Sequence, residues 1–420
     1  MNKLTVGDLG NIITGKTPRT NIPENYGGTI PFLTPSDDLT PMRCTKTLNT
    51  LSEKGMNEVK SCLLPRNAIC VSCIGSDMGH VIMTSIPTVT NQQFNSIIPS
   101  EDYCPEYVYY LMVLLGKMMK SKFGKSSTAV PIVSKSLFSS FELFVNESKN
   151  EQKVLADVLR CIDDKIYINN RMNAELEAMA KQLYDYWFVQ FDFPDENGNP
   201  YKSSGGKMVY NSTLKREIPE GWKIECLNHL VENYRGVSYN KENLVSESEE
   251  SILVLRGNNI PSSGQFVYDG NVAYIPKSFV SKEQEINKGD IIITMSSGSK
   301  EHIGKCYMFQ NDSKHTFGAF LSKFVPHFEC RYFVYLCMLS DFFKAFVKTT
   351  CNGTGINNLT NDTFNNVYFP VPASRILEKF EATAGCLYNK VGLCQEQNND
   401  LIQLRDSLLP MLMNGQVTVE

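Results

Sequence analysis

The sequence predicts an α+β protein built from two tandem, pseudo-symmetric halves, each a mixed α/β globular part followed by a long helix. Two observations predict this architecture. Patterns of the first half recur in the second at an offset of about 221–226 residues, and a fixed period of this kind marks a duplicated structural unit. Each half also ends in about 40 residues whose apolar side chains recur at helical spacing.

The globular parts contain short β-like runs broken by Gly, Pro, Asn and Ser. Residues 68–72 and 290–294 are the clearest predicted strands. Each part then carries one predicted apolar helix, at 107–119 and 332–347. Corresponding segments occur in the same order in both halves: IPFLTPSD (30–37) with ILVLRGNN (252–259), YYLMVLL (109–115) with VYLCMLS (334–340), and SSTAVPIVSKSLFSSFELFVN (126–146) with NGTGINNLTNDTFNNVYFPVP (352–372). The shared pattern therefore predicts the fold, and function can differ where the halves differ.

Residues 147–188 and 374–413 are predicted to be the long helices, each about 60 Å long at ~1.5 Å per residue. Apolar residues three and four apart over about five heptads are typical of a coiled-coil seam. The predicted seam residues are Leu155, Val158, Ile162, Ile166, Met172, Leu176, Met179, Leu183 and Tyr186, and then Phe380, Thr383, Leu387, Val391, Leu401, Leu404 and Leu408. We expect the helices to cover each other's stripe. The alternative is two independent amphipathic helices, each packed on its own globular part.

Between the halves, residues 191–216 are predicted to be a linker because Pro and Gly recur there. Asn199-Pro200-Tyr201 is similar to the N-P-P-Y motif of adenine N6-methyltransferases. It lacks one proline, and no glycine-rich cofactor strand precedes it. We interpret this tripeptide as a turn.

GNIITGKT at 10–17 matches the phosphate-loop pattern G-x-x-x-x-G-K-[ST]. A phosphate loop needs a helix that begins at the Lys-Thr pair, so that its N-terminus faces the phosphates. Pro18, Pro23 and a following glycine pair leave no room for that helix. The copy in the second half is VENYRGVS, which keeps only the glycine, as Gly236. We therefore predict a β-turn region and no nucleotide site.

Composition limits the class of protein further. The chain has 420 residues, a net charge of −4 and 13 cysteines without metal spacing, which fits a reducing cytoplasm. We expect neither a signal segment nor a membrane span. Cys70 and Cys73 form a C-x-x-C, which we interpret as two apolar residues of a buried strand because no βαβ redox pattern surrounds them. The histidines form no metal motif, so no metal site is predicted.

The charge distribution suggests a nucleic-acid partner, although the totals of +1 for 1–147 and −1 for 221–372 are low for one. Residues 107–141 contain five lysines and no acid, and 342–361 contain two lysines and no acid. Lysines can neutralise phosphates, while Asn, Ser, Thr and Gln can address base edges; the alternative is a solvated surface. The candidate DNA-binding residues are Lys16, Arg19, Ser76, Gln92, Gln93, Lys122, Lys125, Ser126, Thr128, Arg235, Arg256, Asn258, Asn259, Ser297, Lys300, Lys348, Asn352, Thr354 and Asn357.

The whole pattern resembles the specificity subunit of type I restriction–modification enzymes. The resemblance rests on the duplicated plan, on NEQKVLADVLRCIDDKIYINNRMNAELEAMAKQLYDYWF (150–188) with its Glu151-Gln152 start, and on the connector at 195–222. Arg375-Ile376 depart from the family pattern, which usually has Glu-Gln there. The resemblance implies target recognition domains at 1–147 and 217–372, spacer helices at 148–190 and 373–420 that pair as an antiparallel coiled coil, and the linker between the halves.

The resemblance also implies what the protein does. Each recognition domain would read one half of a split, asymmetric site in double-stranded DNA, and the helices would set the gap between the half-sites. Such subunits have no catalysis and bind no cofactor themselves. Their partners are two modification subunits, which methylate adenine with S-adenosylmethionine, and restriction/translocase subunits, which use ATP and Mg²⁺. The open alternatives are a coiled-coil scaffold that does not read DNA, an enzyme that uses 10–17 or the Asn199 turn, and an orphan subunit that serves a methyltransferase only.

Overall fold

The computed structural model describes residues 1–75, 77–123, 131–261, 272–299, 301–351 and 357–417. The chain divides into two compact units: unit 1 comprises Met1–Ile168 and Asn398–Glu420, and unit 2 comprises Asn169–Gln397. Each unit therefore contains one globular part and a portion of both long helices.

Unit 1 is built on two sheets. Its strands are β1 (Asn2–Thr5), β2 (Gly10–Thr14), β3 (Tyr26–Leu33), β4 (Arg43–Cys44), β5 (Asn49–Leu51), β6 (Leu63–Leu64), β7 (Ile69–Ser72), β8 (Val81–Thr84), β9 (Thr88–Thr90), β10 (Phe94–Pro99) and β11 (Glu142–Val145). Its helices are α1 (Glu53–Glu58), α2 (Pro105–Phe123), α3 (Lys135–Ser140), the first part of α4 (Lys149–Tyr184) and the last part of α7 (Ser374–Met413). One sheet has the order β2-β10-β7-β8-β4, the other β5-β3-β9-β6, and β1 pairs with β11. The apolar face of α2 packs on the first sheet, where Tyr107, Leu111 and Leu115 join Ile69 and Val71 in one core.

Unit 2 repeats this plan. Its strands are β12 (Met208–Asn211), β13 (Arg216–Pro219), β14 (Lys223–Cys226), β15 (Val231–Arg235), β16 (Ser251–Leu255), β17 (Ala273–Pro276), β18 (Ile291–Thr294), β19 (Ser296–Ser297), β20 (Cys306–Met308), β21 (His315–Phe317), β22 (Leu321–Pro326), β23 (Asn357–Asn358) and β24 (Tyr368–Val371). Its helices are the last part of α4, α5 (Arg331–Leu339), α6 (Asp341–Thr350) and the first part of α7 (Ser374–Met413).

The predicted duplication is confirmed strand by strand. The order β15-β22-β18-β20 of unit 2 matches β2-β10-β7-β8 of unit 1, and the pair β14-β24 matches β1-β11. β3 runs parallel to β9 in unit 1, as β16 does to β21 in unit 2. The strands predicted at 68–72 and 290–294 are β7 and β18, whose side chains are buried throughout.

The prediction of one apolar helix over 332–347 is wrong, because the chain forms α5 and α6 with a break at Ser340. The Ser340 hydroxyl donates to the carbonyl of Cys337 at 2.6 Å and accepts the Phe343 amide at 3.2 Å. Its side chain therefore ends one helix and caps the next. The prediction of a β-turn region at 10–17 also needs correction, since Gly10–Thr14 is a strand that pairs with β10.

The long helices pack together in an antiparallel sense. In unit 2, Trp187 lies 5.7 Å from Phe380 between ring centroids, and Met172 contacts Cys394 through sulfur atoms 3.8 Å apart. Positions later in α4 and in the turn that follows it therefore meet positions earlier in α7. In unit 1, the early part of α4 shares a core with the last turns of α7, from Leu155 and Leu159 to Leu409 and Leu412.

The predicted seam is right at some positions and wrong at others. Leu155, Ile162, Phe380 and Val391 are buried as predicted, whereas the predicted seam residues Met179, Tyr186, Thr383 and Leu404 are exposed. Within unit 2, Asn169 and Asn173 are buried instead, and the Asn169 amide donates to Gln397 Oε1 at 2.9 Å. Apolar periodicity cannot identify polar residues that face inward because they bond across the helices.

The segment predicted to be a linker is folded within unit 2. Phe193 stacks on Tyr201 with ring centroids 4.6 Å apart and lies 5.2 Å from Trp222. The turn predicted at Asn199-Pro200-Tyr201 lies just before this tripeptide: the Gly198 amide donates to the Asp195 carbonyl, and Pro200 then forms an antiparallel bridge with Pro194.

Candidate nucleic-acid interface

In both units, one short turn joins two strands at an edge of the globular part, and several candidate residues lie on or beside it. In unit 1 the turn is Gln92–Gln93, between β9 and β10. The Cys73 amide donates to the Gln93 carbonyl at 2.8 Å, and the Val133 amide donates to the Cys73 carbonyl at 2.9 Å. This edge therefore brings together the turn, the loop after β7 and the segment before α3.

Unit 2 repeats the same bonds with different side chains. Its turn is Ala319–Phe320, between β21 and β22. The Met295 amide donates to the Phe320 carbonyl at 2.9 Å, and the Leu359 amide donates to the Met295 carbonyl at 2.8 Å. The two turns are thus structural equivalents. Neither Ala319 nor Phe320 was among the candidates predicted from the sequence. In both halves the turn joins a strand of one sheet to a strand of the other, and this equivalent place in the repeat was the signal for them.

The retained glycine of GNIITGKT has a packing role. The Gly15 amide donates to the carbonyl of Phe94, and the Gly236 amide donates to that of Leu321. A Cβ atom at Gly15 would lie 2.1 Å from the carbonyl oxygen of Asn91, and one at Gly236 would lie 2.2 Å from that of Gly318. Only glycine allows this approach of two backbones in each unit.

Lys16 and Thr17 then belong to an irregular segment, residues 15–19, and the first α-helix begins only at Glu53. Lys16 is exposed, and its amide donates to the Thr90 carbonyl at 2.9 Å. The Thr17 hydroxyl donates to Gln92 Oε1 at 2.7 Å. The segment consequently lacks the helix N-terminus that would face the phosphates of a nucleotide, and its side chains join the edge formed by the turn.

The other candidates on this edge differ in how freely they can reach a ligand. Gln92 is exposed, whereas Gln93 is half-buried and accepts the Asn91 side-chain amide at 2.9 Å. The Arg19 guanidinium is exposed but paired with Glu58, with 3.0 Å between Nε and Oε1. Arg19 must therefore exchange an acid for a phosphate before it can bind DNA.

The lysines of α2 also divide into two kinds. Lys117 Nζ lies 2.8 Å from Asp406 Oδ1 on α7. Residues 107–141 contain no acidic residue of their own, but in the fold this lysine is paired with a carboxylate from another helix. Lys122 is exposed, its Nζ lies 5.6 Å from the Phe123 ring centroid, and within the described ranges no carboxylate pairs with it. Lys122 is therefore the α2 candidate available for a phosphate.

Lys117 belongs to a network that joins α2 to both long helices within unit 1. Arg405 Nη1 lies 2.9 Å from Asp163 Oδ1, and the Tyr110 hydroxyl donates to the other Asp163 oxygen at 2.8 Å. Burial raises the pKa of the Asp406 carboxyl, but hydrogen bonds and charge from Lys117 and Arg405 outweigh it, and the pKa falls below its ordinary 3.8. The network thus fixes α2 to the helices while Asp406 stays ionised.

Several unit 2 candidates lie at the surface. Arg235 and Asn258 are exposed, and Lys348 is exposed on α6. Ser297 accepts the Ser299 amide at 3.2 Å and pairs through its backbone with Asn357. These groups can meet solvent or a ligand without rearrangement of the core.

Arg256 and Asn259 are more constrained. Arg256 Nε donates to the Tyr239 hydroxyl at 2.9 Å, and its amide donates to Asn259 Oδ1, also at 2.9 Å. Asn259 is only 2% exposed, so its side chain lies out of reach of a duplex at the surface. The remaining candidates, Ser76, Lys125, Ser126, Thr128, Lys300, Asn352 and Thr354, lie outside the described residues, as does the side chain of Asn357.

The C-x-x-C cysteines are buried, as predicted. Cys70 lies on β7 and Cys73 directly after it, and both are almost completely enclosed. Burial raises the pKa of the Cys70 thiol to about 12 and that of the Cys73 thiol to about 11. Both remain thiols at neutral pH, which is unsuited to thiolate chemistry.

Across the described ranges, no helix combines the length and apolar character needed to cross a membrane. The fold and the sequence both match known proteins. The "type I restriction modification DNA specificity domain" family matches twice, at residues 1–178 and 219–383. These matches follow the two halves and together cover most of the chain.

Individual relatives agree with the family match. The chain is 28% identical to the type I restriction enzyme MjaIX specificity subunit of Methanocaldococcus jannaschii, over 99% of this chain and 93% of that one. It is 35% identical to the HindI specificity subunit of Haemophilus influenzae over 42% of this chain and 39% of that one. The crystal structure of the S subunit of a type I restriction–modification system from M. genitalium shares the fold, with a TM-score of 0.53 at 14% identity over 98% of this chain and 96% of that one. The duplicated fold and these matches show that the chain belongs to the family of type I restriction–modification DNA specificity subunits.

Proposed function

We propose that the chain gives its complex DNA specificity by reading two different half-sites, one with each unit. The observation that carries this proposal is the pair of equivalent turns. Gln92–Gln93 and Ala319–Phe320 are held by the same main-chain bonds but present different side chains. One backbone frame with two sets of side chains is suited to an asymmetric, bipartite site.

Contacts at each edge divide into two classes. Lys16, Lys122 and Arg235 are exposed cations that can neutralise phosphates and so provide affinity without sequence preference. Gln92 and Asn258 carry exposed amides, which can bond both to the N6 and to the N7 of adenine in the major groove. Sequence specificity would come from the amides, and the cations would fix the orientation of the protein on the duplex.

Catalysis in the complex would come from the partners. Membership of the family supports two modification subunits that methylate adenine with S-adenosylmethionine, together with restriction subunits that use ATP and Mg²⁺ on the same DNA. This chain would bind none of these cofactors and would act in the cytoplasm. The helix pair would hold the subunits together and set the gap between the half-sites.

Exchange of recognition domains tests the proposal. The globular region at residues 1–147 is replaced by the corresponding region of a relative, and methylated adenines are mapped in a strain that carries the chimaera with its modification subunit. We expect one half-site to change and the other to stay the same. Replacement of residues 217–372 is the matched control, and it should change only the other half-site.

Three outcomes would contradict the two-reader proposal. Either a chimaera that changes both half-sites, or one that remains active and changes neither, would show that the units do not read DNA separately. If a chimaera loses all methylation, co-purification shows whether it still binds its modification subunit. A chimaera that binds the subunit but methylates no new site would also count against the proposal.

A further inference from the structure

Phe320 presents a large aromatic side chain to solvent from a rigid turn. It is 68% exposed. Its carbonyl accepts the Met295 amide at 2.9 Å and the Ser296 amide at 3.2 Å, while the preceding Ala319 amide donates to the Val237 carbonyl at 3.0 Å. The backbone is therefore fixed from both sides, and the ring projects from a position that does not depend on the ring's own packing.

The fold does not require an aromatic residue at this position. The equivalent residue of unit 1 is Gln93, whose carbonyl accepts the Cys73 amide just as Phe320 accepts that of Met295. The structural role is thus performed by the backbone in both units. The side chain is free to differ, and in unit 2 it is the largest apolar group of the turn.

Polar residues lie near Phe320 on the neighbouring strands. Ser296 and Ser297 form the short strand β19 directly after Met295. Arg235 is exposed and lies opposite Ser322, two residues beyond Phe320, where β15 pairs with β22. Hydroxyl and guanidinium groups at such an edge can bond to phosphates and base edges. An exposed apolar ring beside these groups fits an apolar feature of the same ligand.

We propose that Phe320 reads a thymine in the half-site contacted by unit 2, through contact between its ring and the C5-methyl group. Among the groups that the bases present in the major groove, the C5-methyl of thymine is the apolar one. Phenylalanine is among the side chains that contact it. The inference deepens the proposed function and rests on it. It makes Phe320 a specificity residue whose partner differs in kind from that of Gln92.

The test uses the full chain with its modification subunits and a duplex that carries the mapped site. Each thymine of the unit 2 half-site is replaced in turn by deoxyuridine, which lacks only the methyl. We expect one replacement to weaken binding about fourfold, as for burial of a single methyl-sized group. The variant Phe320→Ala should bind the thymine duplex at least as weakly, and it should no longer distinguish thymine from deoxyuridine at that position. Phe320→Leu should keep part of the discrimination.

Phe328 offers a matched control in the same unit. It lies past the far end of β22, about 26 Å from Phe320 along an extended strand. It is 78% exposed, and its ring centroid lies 5.5 Å from the Arg331 guanidinium. Phe328→Ala should leave both binding and the deoxyuridine effect unchanged, and Phe320→Ala should match it in thermal unfolding.

Three outcomes would overturn the inference. One is a unit 2 half-site without thymine. Another is a set of deoxyuridine duplexes that all bind like the parent. The last is a Phe320→Ala protein that is weakened on every sequence but still distinguishes thymine from deoxyuridine, as expected of a ring that packs or wedges between bases. Failure of the two-reader proposal would appear separately, because exchange of residues 217–372 would then leave the half-site unchanged.

Discussion

Two lysines five residues apart on α2 should differ in their effect on DNA binding. Lys122 is exposed and pairs with no carboxylate in the described parts of the chain, whereas Lys117 is bound to Asp406 at 2.8 Å. We expect Lys122→Ala to remove a phosphate contact and Lys117→Ala to remove an internal ion pair. The same substitution in the same helix thus separates the two roles.

The magnitude follows from counterion release. Each phosphate neutralised contributes about 0.9 to the slope of log K against log salt concentration. Loss of one contact should therefore flatten the slope by about one. The ratio of the parent's binding constant to that of Lys122→Ala should then fall roughly 3.5-fold between 50 and 200 mM salt. The loss should be similar on specific and nonspecific duplexes, because phosphates carry no sequence information. Fluorescence anisotropy of the assembled methyltransferase on labelled duplexes, titrated at several salt concentrations, measures both quantities.

Lys117→Ala should leave the salt slope unchanged and lower the free energy of unfolding, by up to about 1 kcal/mol because the pair is half exposed. The pKa of Asp406 is lowered in the fold, so the carboxylate stabilises the protein above its ordinary pKa of 3.8 and this contribution is lost as the pH falls through the folded-state value. The difference in stability from the parent should therefore shrink as the pH is lowered below 3.8 and through the folded-state pKa of Asp406. An unchanged slope for Lys122→Ala, or an equal loss of slope for Lys117→Ala, would refute this division of roles.

Three further predictions concern the turn, the phosphate-loop match and the helices. Gln92→Ala should relax one base position and cost about 1–3 kcal/mol there, which competition with single-base variants measures; equal loss on all variants would contradict base reading. Lys16→Ala should leave titrations of the chain with ATP unchanged, since neither protein should bind it; binding that the substitution abolishes would restore the nucleotide interpretation. Deletion of 169–175 together with 394–400 removes one heptad from each helix, about 10 Å, and methylation mapping should show half-sites closer by roughly one to three base pairs of ~3.4 Å. Deletion from one helix alone should impair folding, and an unchanged gap after the double deletion would mean that the helices do not measure the DNA.

The repeated plan and the long helices could be predicted from the sequence because they depend on local periodicity. The second helix runs over Ser374–Met413, as the apolar spacing predicts. The same reasoning failed at Asn169, which is buried through a hydrogen bond to Gln397 more than two hundred residues away. It failed at Ser340 as well, since a serine within an apolar run resembles a tolerated helix residue until its capping bonds are seen.

The candidate interface was less accessible to sequence reasoning because it depends on which side chains meet. The pairing of Lys117 with Asp406 joins residues far apart in the chain, so a count of local charge could not reveal it. Asn259 is buried while its side-chain oxygen accepts the Arg256 amide, although a polar residue in a loop is ordinarily exposed. The equivalence of Gln93 and Phe320 became evident only when the strands were paired, because the two residues share no chemistry.

The bonds that hold the two turns affect how recognition can evolve. Gln93 and Phe320 support their turns through a carbonyl oxygen, an atom that every amino acid carries. Substitution there leaves the supporting bond in place, so a lineage can sample new side chains while every intermediate remains folded. A host could therefore acquire a new DNA specificity in single mutational steps, without passing through a protein that fails to assemble.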